Sequence, residues 1–95
     1  MPPKNHRPSP LTVMGVADII LTPLAEAKGC TMGFNPIVTG EVLLEVEWDG
    51  PLLDDGELEL FRVMGKNMLG IKVELQKVLG GYDVMPVQDS TPMVY

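Results

Sequence analysis

The sequence predicts a mainly β protein: a small antiparallel β-sandwich with an extended N-terminal arm and one short helix near 23–28. Residues 41–48 alternate between apolar and mostly acidic side chains, as in a half-buried strand. Residues 57–64 follow a turn-rich stretch and form a second apolar segment. Gly80 and Gly81 separate two further apolar segments, as a tight hairpin turn does.

A chain of 95 residues forms one domain at most, which we place at 11–88, between an arm at 1–10 and a tail at 89–95. At this size about 60–65% of the unfolded surface is buried on folding, so the core is modest. Cys30 is the single cysteine and has no partner for an internal disulfide. This favours a reducing compartment or a virion, and we predict a virion or cytoplasmic location.

The first third of the chain is predicted to contain an extended arm, a strand, a short helix and a loop. Four prolines in the first ten residues remove amide donors and favour an extended arm. The β-branched residues of 11–21 predict a strand. A short helix follows at 23–28, with Thr22 as N-cap, Pro23 at its first position and Gly29 just past its end. Residues 29–36 are then a loop that holds two glycines and a proline.

The clearest predicted strand is 41–48. One face carries Val42, Leu44, Val46 and Trp48, and the other carries Glu41, Leu43, Glu45 and Glu47. Arg62, Lys72 or Lys77 are the expected cross-strand partners of these carboxylates. Residues 57–64 are predicted as a strand that either is covered on both faces or has a bulge near 60–61. A helix capped by Asp54 or Asp55 is the alternative for this segment.

The double glycine is predicted to close a hairpin. With Gly80-Gly81 as the two-residue loop, Leu79 faces Tyr82, Lys77 faces Val84 and Leu75 faces Pro86. Glycine suits the positive φ angles of such a turn. A helix over 68–79 with Gly80 as its C-cap remains the alternative, although it places Val73 among charged residues.

The order of these segments resembles a known family. The stretches GEVLLEVEWDGPLLDDGELELF and VLGGYDVMPV are similar to the strand, Asp-Gly turn, strand and late Gly-x-Tyr-x-Val strand of prealbumin-like modules, including the collagen-adhesin B-type family. The resemblance covers residues 40–87 and implies a sandwich of the Ig-like or prealbumin-like kind. That family often carries an internal Lys–Asn or Lys–Asp bond, but the first strand here has no lysine in that place, so no isopeptide bond is implied.

Charge limits the class of partner. Without Lys4 and Arg7, five basic residues face thirteen acidic ones, so the rest of the chain has a net charge of −8. An acidic body repels phosphate backbones, and we expect no nucleic-acid binding by the domain. Residues 11–27 are the most apolar stretch, but Asp18 and Pro23 interrupt them, so we predict neither a membrane span nor membrane binding. The same interruption argues against a signal peptide.

The sequence offers little catalytic chemistry. The single histidine, His6, lies in the arm, and a pairing with Cys30 requires the arm to fold over a loop. One cysteine and one histidine do not make a zinc site. The acidic residues of 49–57 lack EF-hand spacing and are interpreted as turn formers, with Ca²⁺ binding left open. We therefore predict no enzyme activity, no cofactor, and neither catalytic nor metal-binding residues.

The predicted function is structural: a small building block held in a larger assembly by its terminal segments, such as a virion cement, decoration or tail component. Partners are other copies of the chain or a larger protein assembly. A small regulator or inhibitor that binds protein through an acidic sheet face is the alternative. The structural role selects terminal residues as partner-binding residues, namely Lys4, Arg7, Met93, Val94 and Tyr95. The regulator selects Glu45 and Glu47 of the acidic face.

Overall fold

The computed structural model describes residues 9–87, apart from the side chain of Val38. The chain forms two helices and four strands. In chain order these are α1 (Pro10–Lys28), β1 (Thr31–Thr39), β2 (Val42–Asp49), α2 (Asp55–Leu69), β3 (Val73–Val78) and β4 (Gly81–Pro86). The arm at 1–8 and the residues after Val87 lie outside the described part.

The strands form one antiparallel sheet in the order β1-β2-β4-β3. The core lies on one side of this sheet, where strand residues such as Leu44, Val46 and Val84 pack in one cluster with α1 and α2. The predicted β-sandwich is therefore wrong. The fold is α+β with two layers, because helices, and not a second sheet, cover the apolar face.

Helix α1 replaces the predicted strand at 11–21 and the separate short helix. The Ser9 side chain caps the helix by accepting a hydrogen bond from the Thr12 amide, and Pro10 occupies the first turn. Pro23 lies inside the helix instead of starting one. The prediction of Gly29 just past the helix end is confirmed, since Gly29 is the C-cap in the left-handed region at φ 67°.

The predicted loop at 29–36 is also wrong, because most of it belongs to β1. Thr31 pairs with Asp49 and Pro36 pairs with Leu44 in a regular antiparallel register. Proline is tolerated here because β1 is an edge strand, where one row of amides needs no partner in the sheet. The register becomes irregular between Pro36 and Thr39.

Helix α2 covers the segment predicted as a strand at 57–64. The alternative was right: Asp54 is the N-cap, and it forms a reciprocal capping box with Glu57. Phe61 and Gly65 are buried on the core side, one turn apart. The apparent shift between faces at 60–61 arises because the apolar residues follow a helical period.

The hairpin prediction is confirmed for the strands and wrong for the register. Leu75 pairs with Val84 and Lys77 with Tyr82, so the two-residue loop is Leu79-Gly80. Gly80 supplies the positive φ of 87°. Gly81 lies in β4, where a Cβ atom would collide with the backbone carbonyl of Val46 in β2. The second glycine therefore permits strand packing, while the first makes the turn.

Two helical glycines give a matched test of the packing between α2 and the sheet. A Cβ at Gly65 would strike a methyl group of Val73, whereas a Cβ at Gly15 meets nothing within 4 Å. We expect Gly15→Ala to stabilise the fold by about 0.5–1 kcal/mol through helix propensity. Gly65→Ala should destabilise it by about 1–3 kcal/mol through overpacking. Urea denaturation followed by circular dichroism measures both.

A double variant tests the cause of that loss. Adding Val73→Ala to Gly65→Ala should cost less than the sum of the two single changes, because the smaller side chain makes room for the new methyl group. Additive costs would show that Val73 is not the obstacle.

Candidate interaction surfaces

The described chain begins and ends at the same end of the sheet. Helix α1 ends close to Thr31, the first residue of β1, which pairs with Asp49 at the end of β2. Strand β4 starts at this same end of the sheet, where Gly81 pairs with Glu47. Ser9 and Val87 therefore both lie at the opposite end. The predicted site residues Lys4, Arg7, Met93, Val94 and Tyr95 fall outside the described residues, but the segments that carry them are joined to the domain at one end.

An apolar groove of about 210 Å³ lies on the outer side of the helical layer, between α1 and α2. Helix α1 contributes Ile19 and Pro23, which are one turn apart, and α2 contributes Leu60 and Met64 with the same spacing. Ile20 and Leu24 form its floor, where they join the core. Ile19 and Leu60 are 52% and 48% exposed, so the groove walls remain in contact with water.

Sequence reasoning missed this groove because Ile19 and the α2 wall were predicted in strands, whereas Pro23 was predicted to start a separate short helix. The available signal was the i, i+4 spacing of apolar residues on each side, Ile19 with Pro23 and Leu60 with Met64. Pro23 leaves the carbonyl of Ile19 without its usual helical donor, and this adds one hydrogen-bond acceptor to an otherwise apolar rim.

Helix α1 is also long and apolar enough to cross a membrane, judged by its length and composition. A core helix and a signal sequence both meet this criterion. Here Val13, Val16, Ala17, Ile20, Leu21 and Ala25 are buried within the protein. These buried positions are about a third of the apolar stretch, and other apolar side chains of α1, such as Leu11 and Ile19, are exposed.

The opposite face of the sheet is acidic. Glu45 and Glu47, both predicted as partner-binding residues, are exposed on β2. Asp83 on β4 pairs with Glu45 in register and so faces the same side. The strand alternation predicted for 41–48 is confirmed, since Leu44, Val46 and Trp48 are buried. Leu43 is buried too, although it belongs to the other face.

Other carboxylates take part in ion pairs and in the N-terminal cap of α2. Arg62 lies on α2 and bonds Glu74 at 2.8 Å and Glu59 at 3.4 Å, so it does not pair with the β2 row as predicted. Asp54 and Glu57 act in the helix cap. Within residues 9–87, no three histidine, cysteine or acidic side chains converge as a metal site needs.

The buried core contains one titratable group in an altered environment. Tyr82 is fully buried, and its hydroxyl accepts a hydrogen bond of 2.7 Å from the backbone amide of Leu53. Burial raises the pKa of the Tyr82 phenol above its usual value near 10. The ring meets Trp48 edge to face at 5.8 Å, and the Trp48 Nε1 donates to the carbonyl of Pro51. These contacts fix the loop that leads into α2.

No family model, curated protein or solved structure matches the chain.

Removing the Tyr82 hydroxyl tests its role in holding this loop. Tyr82→Phe leaves the buried Leu53 amide without a partner, and we expect a loss of about 1–3 kcal/mol in unfolding free energy at neutral pH. Because the raised pKa means that the folded state keeps its proton where the unfolded chain has lost it, wild-type stability should fall above about pH 10. The difference between the two proteins should therefore shrink there.

Urea denaturation at pH 7 to 11 measures both effects. Equal stability of the two proteins at pH 7 would contradict the structural role of the hydroxyl.

Proposed function

We propose that this protein is a non-enzymatic assembly component, which binds other copies of itself or a larger protein assembly through its terminal segments. The observation that carries the proposal is the apolar groove between α1 and α2. Its walls expose Ile19 and Leu60 to water, although both could be covered by a short apolar segment.

The occupant proposed for this groove is the C-terminal segment 88–95 of a neighbouring copy. Met93, Val94 and Tyr95 give it three consecutive apolar side chains after a proline. Methionine adapts to irregular apolar surfaces, and tyrosine combines a large apolar ring with a hydroxyl that can donate a hydrogen bond. The Ile19 carbonyl at the rim is a suitable acceptor for that hydroxyl.

The N-terminal segment has the complementary chemistry for the other face. Lys4 and Arg7 are basic, whereas Glu45, Glu47 and Asp83 make the open face of the sheet acidic. Exposed charge pairs add little affinity but orient partners and speed association. An arm that leaves the same end as the C-terminal segment can lie across a neighbour while the tail fills the groove.

In this proposal the protein acts by binding alone, without enzyme activity or a cofactor. A virion or a cytoplasmic assembly remains the proposed location.

A second candidate is a regulator that engages its target through the acidic sheet face. It is favoured by the exposed carboxylates of Glu45 and Glu47, which lie on one side of β2 and are not used in the core. In this case the sheet face, and not the groove, is the main contact.

A peptide tests the groove directly. Synthetic residues 88–95 are added to protein that lacks them, and methyl NMR signals of Ile19, Leu60 and Met64 are followed. We expect saturable shifts at these methyl groups, and loss of the shifts in Leu60→Glu because a charge in the groove opposes apolar contact.

Two controls accompany this titration. Leu52→Glu places the same change on another exposed leucine, away from the groove, and should leave binding intact. A peptide with serine in place of Met93, Val94 and Tyr95 should cause no shifts. Absence of binding, or equal binding by the serine peptide, would contradict the proposal.

Charge reversal separates the two candidates. In the assembly proposal, the double variant Glu45→Lys/Glu47→Lys should weaken association of the full-length chain and reduce its salt dependence, yet leave peptide binding in the groove unchanged. Light scattering at several salt concentrations measures the first effect. If association survives reversal but is lost without residues 88–95, the tail is the main contact. If reversal alone abolishes partner binding and the groove binds no peptide, the regulator is favoured.

A further inference from the structure

The two edges of the sheet differ in charge. Strand β3 carries Glu74 and Lys77, and charged side chains on an edge strand discourage pairing with another strand. Strand β1, with the sequence TMGFNPIVT, has no charged residue over nine positions. Its edge is therefore the less protected of the two.

The hydrogen-bond pattern identifies which backbone groups of β1 face outwards. Trp48 donates its amide to the Gly80 carbonyl at 3.2 Å, on the β4 side of β2. In antiparallel sheets the amide and carbonyl of one residue point to the same side, and the side alternates along the strand. Trp48 therefore does not bond its β1 partner, Met32, and the pairs bonded between β1 and β2 are those of Thr31, Gly33 and Asn35.

It follows that Met32 and Phe34 point both their amide and their carbonyl groups away from the sheet. Pro36 shares this phase, so its missing amide costs no bond with β2. The same alternation gives the orientation of the backbone groups at the other edge, in β3. Val87 donates its amide to the Lys72 carbonyl at 2.8 Å, so the amides and carbonyls of Val73, Leu75 and Lys77 point away from β4.

We propose that the edge of β1 is a homodimer interface, in which residues 31–35 of two copies pair antiparallel about a two-fold axis at Gly33. In this register Met32 of each copy lies opposite Phe34 of the other. Both residues have outward amides and carbonyls, so the two pairs make four backbone hydrogen bonds and leave Pro36 outside the paired stretch. A two-fold interface needs a patch that is complementary to itself, and residues 32–34 meet that condition.

Side chains support the same register. Met32 and Phe34 are half-buried at the margin of the core, on the helix-covered side. A second β1 would place Met32 against Phe34 of the other copy and cover both, in a contact of thioether with aromatic ring. Glycine at the axis allows the close approach of a pair that is not hydrogen-bonded.

Repulsion between negative charges opposes this dimer, so dimerisation should depend on salt concentration. Glu47 lies over Gly33, since a Cβ built there would sit 3.1 Å from its Oε1. The two Glu47 carboxylates therefore face each other across the axis on the open side of the sheet, in copies that each carry a net charge of −6. We expect salt to strengthen dimerisation, and Glu47→Gln to strengthen it at low salt.

Hydrogen exchange of the wild-type protein provides the main test. With rising protein concentration, the amides of Met32 and Phe34 should become protected, whereas the outward amides of Val73, Leu75 and Lys77 should not. Sedimentation over the same concentrations should show a monomer–dimer equilibrium. Unchanged exchange at Met32 and Phe34, or protection in a particle that remains monomeric, would overturn the proposal.

A proline pair provides the matched variants. Met32→Pro removes an outward amide at the proposed interface, and Lys77→Pro removes one at the other edge; only the first should abolish the dimer. Both are compared in protein lacking residues 88–95, because this interface does not depend on the proposed tail contact. A dimer that vanishes with the tail but tolerates Met32→Pro would overturn the β1 interface while supporting the tail.

Discussion

The hydrogen bond between the Tyr82 hydroxyl and the Leu53 amide holds the connection on which the topology depends. Strand β2 ends at Asp49, and the chain must turn back over the same face of the sheet to begin α2 at Asp55. Trp48 anchors the start of this connection through Pro51, and Tyr82 anchors its end. Tyr82 lies in β4, so the contact ties a central strand to the loop that places α2.

The sequence predicted β2 and the hairpin of β3 and β4, but it predicted α2 as a strand and only the last part of α1, residues 23–28, as a helix. Alternation over 41–48 is clear because carboxylates mark one face, and such a pattern fits only a strand. In 57–64 the apolar residues fit either period, and the capping pair Asp54 and Glu57 was the decisive local signal. The burial that selects the helix comes from tertiary packing, since Gly65 of α2 lies against Val73 of β3.

Helix α1 was misread for a related reason. Its β-branched residues lower helix propensity and Pro23 breaks the hydrogen-bond ladder, yet burial of one side against the sheet outweighs both. Among the candidate site residues, the exposure of Glu45 and Glu47 could be predicted because strand alternation alone determines it. Their role in binding stays a prediction. The groove could not be found in the same way, since it requires two helices to lie side by side.

The groove and the β1 edge lie on different parts of the domain, whereas Glu47 belongs both to the acidic face and to the margin of the β1 edge. The groove lies on the helical side, the carboxylates lie on the open side, and the β1 edge lies between them. A two-fold contact through β1 closes on itself and stops at two copies, whereas a tail placed in a neighbour's groove is a heterologous contact that continues to a ring or a filament. Together the two proposed contacts would build an extended assembly from dimers, in which repulsion between acidic faces sets the ionic strength at which it forms.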